Sequence, residues 1–308
     1  MAKPDYQSLI DAETWEFIRA SEAAYPPDTA SLDVAGQRRI YDAMCRRFFQ
    51  GYPEGVSAQD RSIAGVACRI YPGRQPTVIY LHGGGFVVGG LHSHDDVCAE
   101  IRGRTGLSVM AVDYRLAPEH LHPAAFDDAL AVTRAIAAFG PVILAGDSAG
   151  GNLAAAVSQA LRGTGLVRGQ VLIYAGLGGD IDAGSYLEHA DAPMLTRADV
   201  AFYAGIRFSA APIAPDETAS PLQAIDFAGL PPTVAIFAQC DPVADDSRHY
   251  ARRIAAAGGR AHWLEEPGLV HGYLRARSSV ARAAASFGRI CDAISALAAG
   301  EWPYGECR

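Results

Sequence analysis

Gly146-Asp147-Ser148-Ala149-Gly150 sits directly after the apolar run Pro141-Val142-Ile143-Leu144-Ala145 and directly before a helix-forming stretch, Asn152 to Leu161. A Gly-x-Ser-x-Gly between a buried strand and a helix describes a nucleophile elbow, a tight turn that lifts one hydroxyl above a sheet edge. The glycines are required because Cβ atoms beside so sharp a bend would collide with the neighbouring strand and helix. The five residues alone also describe ordinary glycine-rich turns. Their strand-to-helix context is what makes Ser148 the candidate nucleophile.

Such a serine needs a base, an acid to orient the base, and donors for an oxyanion. In an elbow of this kind the expected chain order is serine, then acid, then histidine. Three histidines lie far enough downstream: His249, His262 and His271. His249 falls within a helical run and His262 alternates within a strand, so both read as structural or solvent-facing. His271, in Gly268-Leu269-Val270-His271-Gly272, follows the last predicted strand on a loop and is the base candidate. Asp241 opens the loop after the preceding strand, in Cys240-Asp241-Pro242. It is either a turn initiator or the acid that fixes the imidazole tautomer. Asp245 and Asp246 lie a turn further on and suit the N-terminus of a helix.

His82-Gly83-Gly84-Gly85-Phe86 follows the apolar strand Thr77 to Leu81 and exposes backbone N–H groups unobstructed by side chains. Together with the amide of Ala149, the amides of Gly83 and Gly84 are the expected oxyanion donors. A phosphate-binding loop would end in Lys-Ser or Lys-Thr, which is missing here. His92-Ser93-His94-Asp95-Asp96 has metal-ligand residue types, but adjacent positions at a helix start do not face one point. Ser93 capping that helix, with acids in its first turn, is the preferred reading, and no metal site or cofactor is assigned.

These residues need a scaffold that brings distant loops to one edge. Asp11 to Ala24 and Asp33 to Phe49 read as helices, separated by Pro26-Pro27. Apolar strands are predicted at 66–71, 77–81, 108–112, 142–145, 170–174, 233–238 and 261–265. Helical patterns fall at 93–104, 124–139, 151–161, 245–257 and 280–298. Continuous apolar strands alternating with helices indicate an α/β fold with a mostly parallel sheet covered on both faces. A segment at about 180–215 interrupts the rhythm with its own helical pattern and reads as an insertion over the catalytic edge. No internal repeat or low-complexity linker appears, so the chain, 1–308, is expected to form one domain with a cap from about 1–50 and about 180–215.

Half of the 308 residues are hydrophobic, enough for a substantial core, and the net charge is −8. The acidic balance argues against a nucleic-acid surface. No apolar run of roughly 18 residues is present, so no membrane span is expected, and the N-terminus lacks the pattern of a signal peptide. A cytoplasmic location is expected. Six scattered cysteines, without a Cys-x-x-Cys pair, read as free buried thiols.

Tyr80-Leu81-His82-Gly83-Gly84-Gly85-Phe86, Asp113-Tyr114-Arg115-Leu116-Ala117-Pro118-Glu119-His120 and Gly146-Asp147-Ser148-Ala149-Gly150-Gly151-Asn152 occur in that order. Gly229-Leu230-Pro231-Pro232-Thr233, Asp241-Pro242-Val243-Ala244-Asp245 and His271-Gly272-Tyr273 follow. Across roughly 54–290 the chain therefore resembles the hormone-sensitive-lipase-like branch of the α/β-hydrolase esterases. The resemblance implies a triad of Ser148, Asp241 and His271, oxyanion donors at Gly83, Gly84 and Ala149, and short acyl esters as substrates without a cofactor. It departs after Leu172-Ile173-Tyr174, where the family usually has a proline and this chain has Ala175-Gly176-Leu177-Gly178-Gly179.

Phe86, Met194, Leu195 and Phe202, with Tyr186, Tyr203 and Phe208, are candidates to line the substrate pocket, and packing within cap helices is the competing reading. The same triad would serve an amidase, formamidase, carbamate hydrolase or lactonase. A non-catalytic small-ligand receptor is a remoter alternative, opposed by the presence of His271. The expected partner is a small-molecule ester, with no nucleic acid and no membrane, and homodimer formation is left open.

Overall fold

The computed structural model describes residues 4–26, 28–209 and 216–305. Cys307 and the end of the expected insertion, 210–215, lie outside the described residues, as do 1–3 of the expected cap. The strands are β1 (Gln59–Ile63), β2 (Val66–Tyr71), β3 (Arg74–Leu81), β4 (Leu107–Val112), β5 (Val142–Asp147), β6 (Val167–Ile173), β7 (Thr233–Cys240) and β8 (Ala261–Val270). The helices are α1 (Tyr6–Leu9), α2 (Ala12–Ala24), α3 (Val34–Phe48), α4 (Asp95–Thr105), α5 (Ala124–Ala137), α6 (Ala149–Ala160), α7 (Ser185–Glu188), α8 (Arg197–Arg207), α9 (Ala244–Ala256) and α10 (Ala281–Ala299).

The strands form one sheet in the order β1-β2-β4-β3-β5-β6-β7-β8. β1 and β2 pair antiparallel with their neighbours, and all pairs from β4 to β8 are parallel. Successive residues of the central strands point to opposite faces, as strand geometry demands. Tyr80, Ile143, Val171 and Ile236 pack against α4 and α10 on one face. Leu81, Leu144, Leu172 and Ala235 pack against α5, α6 and α9 on the other. Burial on both faces explains why these strands read as unbroken apolar runs.

Two differences from the sequence reading have physical causes. β1 is absent from it because Gln59-Asp60-Arg61-Ser62 is exposed and carries no apolar alternation. β1 is held instead by a two-residue hairpin through Ala64 and Gly65, both at positive φ (50° and 84°), and by the cross-strand pair Asp60–Arg69 at 2.7 Å. β8 runs through Pro267 to Val270, beyond its expected end at 265. It is the last strand of the sheet, the position where a proline is tolerated, and Pro267 falls at the register shift between Ala238 and Cys240.

Register then decides what meets at the C-terminal edge. Leu81 lies opposite Gly146, Asp147 opposite Ile173, and Ile173 opposite Ile236. β7 continues beyond this row to Cys240, which faces Val270 at the end of β8. The loops beginning at His82, Ser148, Tyr174, Asp241 and His271 therefore leave from one edge.

Candidate active site

At the elbow, Ser148 holds φ 53° and ψ −118° between β5 and α6. Its N–H donates to Ile173 O (2.9 Å), which ties the turn to β6. A Cβ on Gly150 would stand 1.9 Å from the Leu81 carbonyl oxygen, and one on Gly146 would stand 2.4 Å from the Gly150 oxygen. Glycine is dictated at both positions by backbone crowding.

The register of β7 and β8 sets Asp241 beside His271. His271 Nδ1 lies 2.7 Å from Asp241 Oδ2, and His271 Nε2 lies 2.8 Å from Ser148 Oγ. Asp241 is fully buried, and its Oδ1 accepts from Val243 N–H at 3.0 Å. One oxygen therefore makes the Asp-Pro turn while the other faces the imidazole. The Tyr174 ring packs 4.8 Å from the His271 ring. His249 is exposed on α9, and His262 stacks on Tyr304 at 4.5 Å.

The glycine loop corrects one expectation. The Gly83 N–H donates to Asp147 Oδ1 (3.1 Å), so that amide is already engaged. Its position is enforced, since a Cβ on Gly83 would lie 2.4 Å from Asp147 Oδ2. Among the described residues, the amides of Gly84, Gly85 and Ala149 have no hydrogen-bond acceptor. Ala149 is the first residue of α6, where the helix terminus favours negative charge.

Asp147, quoted in the motif and given no role by the sequence, is the residue that sequence reasoning missed. It is buried and also accepts from Tyr80 OH (2.8 Å), His94 Nε2 (3.2 Å) and Tyr174 OH (3.3 Å). Burial alone would push its carboxyl up. The His94 charge and the donated hydrogen bonds outweigh burial and hold it well below the ordinary carboxylate range. The only sequence signal was an acid inside an otherwise apolar, small-residue turn. His82 is buried and stacked on Tyr114 at 4.3 Å, and burial lowers its pKa to about 4.

The His92–Asp96 cluster disperses. His92 pairs with Asp42 (2.8 Å), His94 turns to Asp147, Asp95 accepts from Tyr52 (2.7 Å), and Asp96 pairs with Arg277 (2.6 Å). Ser93 does not cap α4. His94 occupies the N-cap position, and the Ser93 hydroxyl accepts from Gly90 N–H (3.0 Å) and donates to Gly90 O (2.8 Å). Cys45, Cys68, Cys98, Cys240 and Cys291 are buried free thiols.

Asp245 and Asp246 lie in the first turn of α9, as expected, and each also binds outside it; Asp245 Oδ1 pairs with Arg248 on the same helix (3.1 Å). Asp245 Oδ2 accepts from Ser185 N–H (2.9 Å). Asp246 Oδ2 accepts from Leu177 N–H (2.6 Å), Gly179 N–H (3.3 Å) and Tyr186 OH (3.0 Å), which fixes the unusual glycine-rich segment after β6. Tyr186 is thus a strut rather than a pocket wall.

Burial pushes the Asp246 carboxyl from near 3.8 up to about 7, with neighbouring Asp241 adding to the rise and the donated hydrogen bonds opposing it. Between those values the folded chain keeps a proton that the unfolded chain has released. Stability therefore falls as pH rises from about 4 to 7 and levels off above. Asp246→Asn is expected to flatten the fall between pH 5 and 8 by on the order of 2–4 kcal/mol. Urea midpoints across that range test this; a wild-type midpoint that does not decline, or an identical decline in the variant, refutes it.

The proposed pocket residues divide. The Phe86 ring, at positive φ (66°), lies under the buried Arg207 guanidinium at 3.5 Å. Met194, also at positive φ (73°), packs against the core cluster on the α4/α10 face. Leu195 is half-buried, and Phe202 is exposed, edge-on to Tyr203 at 5.5 Å. Tyr203 is the closer neighbour of the glycine loop, since a Cβ on Gly85 would stand 2.6 Å from its ring. Phe208 packs edge-on to His122 at 5.6 Å.

Comparison with known proteins agrees with this architecture. A family model described as the alpha/beta hydrolase fold matches residues 78–275. Carboxylesterase NlhH of Mycobacterium tuberculosis is 40% identical over 230 residues, 70% of this chain and 71% of that protein. An acetyl esterase of Salmonella typhi is 30% identical over 290 residues, 86% and 88% of the two chains. The hyperthermophilic esterase of Pyrobaculum calidifontis superposes with a TM-score of 0.84 at 30% identity, covering 94% of this chain and 99% of that one. The chain belongs to the α/β-hydrolase fold family, in its hormone-sensitive-lipase-like branch. Among the described residues, no helix is long and apolar enough to cross a membrane.

Proposed function

We propose that this protein is a serine carboxylesterase that hydrolyses short-chain acyl esters through an acyl-enzyme. The observation that carries the reading is the unbroken hydrogen-bond chain from Ser148 Oγ through His271 to Asp241. Relatives named carboxylesterase and acetyl esterase support an ester as the substrate.

In this mechanism His271 Nε2 takes the Ser148 proton as Oγ attacks the ester carbonyl. Asp241 stabilises the imidazolium that forms. The amides of Gly84, Gly85 and Ala149 receive the oxyanion, Gly83 being committed to Asp147. The tetrahedral adduct collapses as His271 protonates the departing alcohol. Water then repeats the sequence on the acyl-enzyme, releasing the acid and restoring Ser148.

The cap is part of the proposal. The described parts of the expected cap, within 4–50 and 180–209, would cover the site and bound the acyl chain. Tyr6 OH meets His189 Nδ1 at 3.1 Å, Tyr25 and Tyr203 pack against one cluster with Val87 and Val88, and Arg38 Nε donates to Val87 O at 2.8 Å beside the glycine loop. Phe86, and Tyr203 in place of Phe202, are the residues best placed to touch substrate.

Hydrolysis of p-nitrophenyl esters from acetate to dodecanoate, beside matched anilides, tests the reading. A burst with the short esters that fades with chain length is the expected result. A folded protein that cleaves the anilides and none of the esters overturns it in favour of an amidase.

A further inference from the structure

We infer that His94 is a positioning residue for acyl transfer, holding through Asp147 the glycine loop that carries the oxyanion donors. The inference rests on the serine-esterase reading above. Its basis is a closure in the chain. Residues 82–94 leave the sheet edge and return to it, and both ends bind the same carboxylate. Gly83 N–H donates to Asp147 Oδ1 at 3.1 Å, and His94 Nε2 meets Asp147 Oδ2 at 3.2 Å. The free amides of Gly84 and Gly85 lie just inside this closure, and Ser148 follows Asp147 in the chain. One buried carboxylate thus sets the nucleophile's turn and the loop facing it.

His94 is built to be a fixed donor. An ionised carboxylate can only accept, so the hydrogen of the His94–Asp147 bond lies on Nε2. On the other side of the ring, Nδ1 lies 2.8 Å from Ser93 Oγ, itself locked to both the N–H and the carbonyl of Gly90. The His94 ring stacks at 5.9 Å on His82, which opens the loop. It is 4% exposed, so no water replaces it freely. Losing the donor leaves Asp147 Oδ2 with Tyr174 alone at 3.3 Å. A buried carboxylate short of donors shifts toward whatever else can donate, and Gly83 is covalently tied to the oxyanion amides.

The test uses the full chain with His94→Leu, His94→Gln and Ser93→Ala. Readouts are steady-state kinetics on p-nitrophenyl acetate, inhibition by a trifluoromethyl ketone that adds to the serine as a tetrahedral oxyanion, and fluorophosphonate labelling. His94→Leu is expected to lower kcat about 10- to 100-fold with KM within about twofold, less than loss of an entire oxyanion donor. Inhibitor affinity should weaken by a similar factor. His94→Gln returns an N–H toward Asp147 and should recover most of the loss. Should His94→Leu fail to fold, Ser93→Ala carries the test, with kcat expected to fall about 3- to 10-fold.

A folded His94→Leu protein with wild-type kcat overturns the inference. So does His94→Gln as slow as His94→Leu, which would mean that ring volume matters rather than the donor, and so does an unchanged Ser93→Ala protein. Failure of the parent reading looks different: the wild-type chain itself would hydrolyse no ester and take up no fluorophosphonate.

Discussion

Ser148→Ala is expected to lower kcat on p-nitrophenyl acetate by about 10⁶-fold while leaving the fold intact. In the proposed mechanism the loss is large because Oγ forms the bond that divides hydrolysis into two steps. Without it the acyl-enzyme route is closed, and the amides of Gly84, Gly85 and Ala149 can only assist direct attack by a water that no residue is shaped to hold in place of Oγ. The fold should survive because the 148 N–H still donates to Ile173 O, and alanine takes the same backbone as serine. Purified variant and parent should be compared for turnover and for thermal midpoint. Turnover within tenfold of the parent would mean that another group is the nucleophile.

Asp241→Asn should be the next largest loss, about 10⁴-fold in kcat. Asparagine fits the space and can keep the Val243 N–H bond, so the turn after β7 persists. What changes is the atom facing His271 Nδ1. An amide NH₂ there favours the imidazole tautomer with its hydrogen on Nε2, which then cannot accept the Ser148 proton. The variant should also react far more slowly with a fluorophosphonate, because the defect precedes attack. A fall of less than tenfold would show that the fully buried Asp241 charge is dispensable.

The elbow, the alternating strands and the loops bearing Asp241 and His271 could be read from the sequence because each is a local property. Apolar runs define the central strands. Glycines mark the bend where Leu81 leaves no room for a Cβ. Elements failed to appear where local signal and tertiary need diverge. β1 is charged and exposed, held by a hairpin and one cross-strand pair. The apolar run of β8 fades at 265, yet the strand continues through Pro267 to Val270 at the end of the sheet. Asp245 and Asp246 lie in the first turn of α9, as expected, but their further partners Ser185, Leu177, Gly179 and Tyr186 carry no local signal.

The order Ser148, Asp241, His271 is likewise written in the chain, but the 2.7 and 2.8 Å contacts depend on β7 reaching Cys240 opposite Val270. Which amides stay free was a tertiary decision. Nothing local distinguishes Gly83 from Gly84, and the Asp147 carboxylate, 64 residues on, takes the first of them. His94 belongs to the same class, its role set by a partner across the sheet edge rather than by its neighbours in the chain. The scaffold and the candidate reacting side chains are legible in the chain, because periodicity and turn chemistry act over a few residues. Which donors remain unpaired and which aromatic rings approach the loop depends on long-range packing, because a hydrogen bond's availability is set by every group that folding brings within reach.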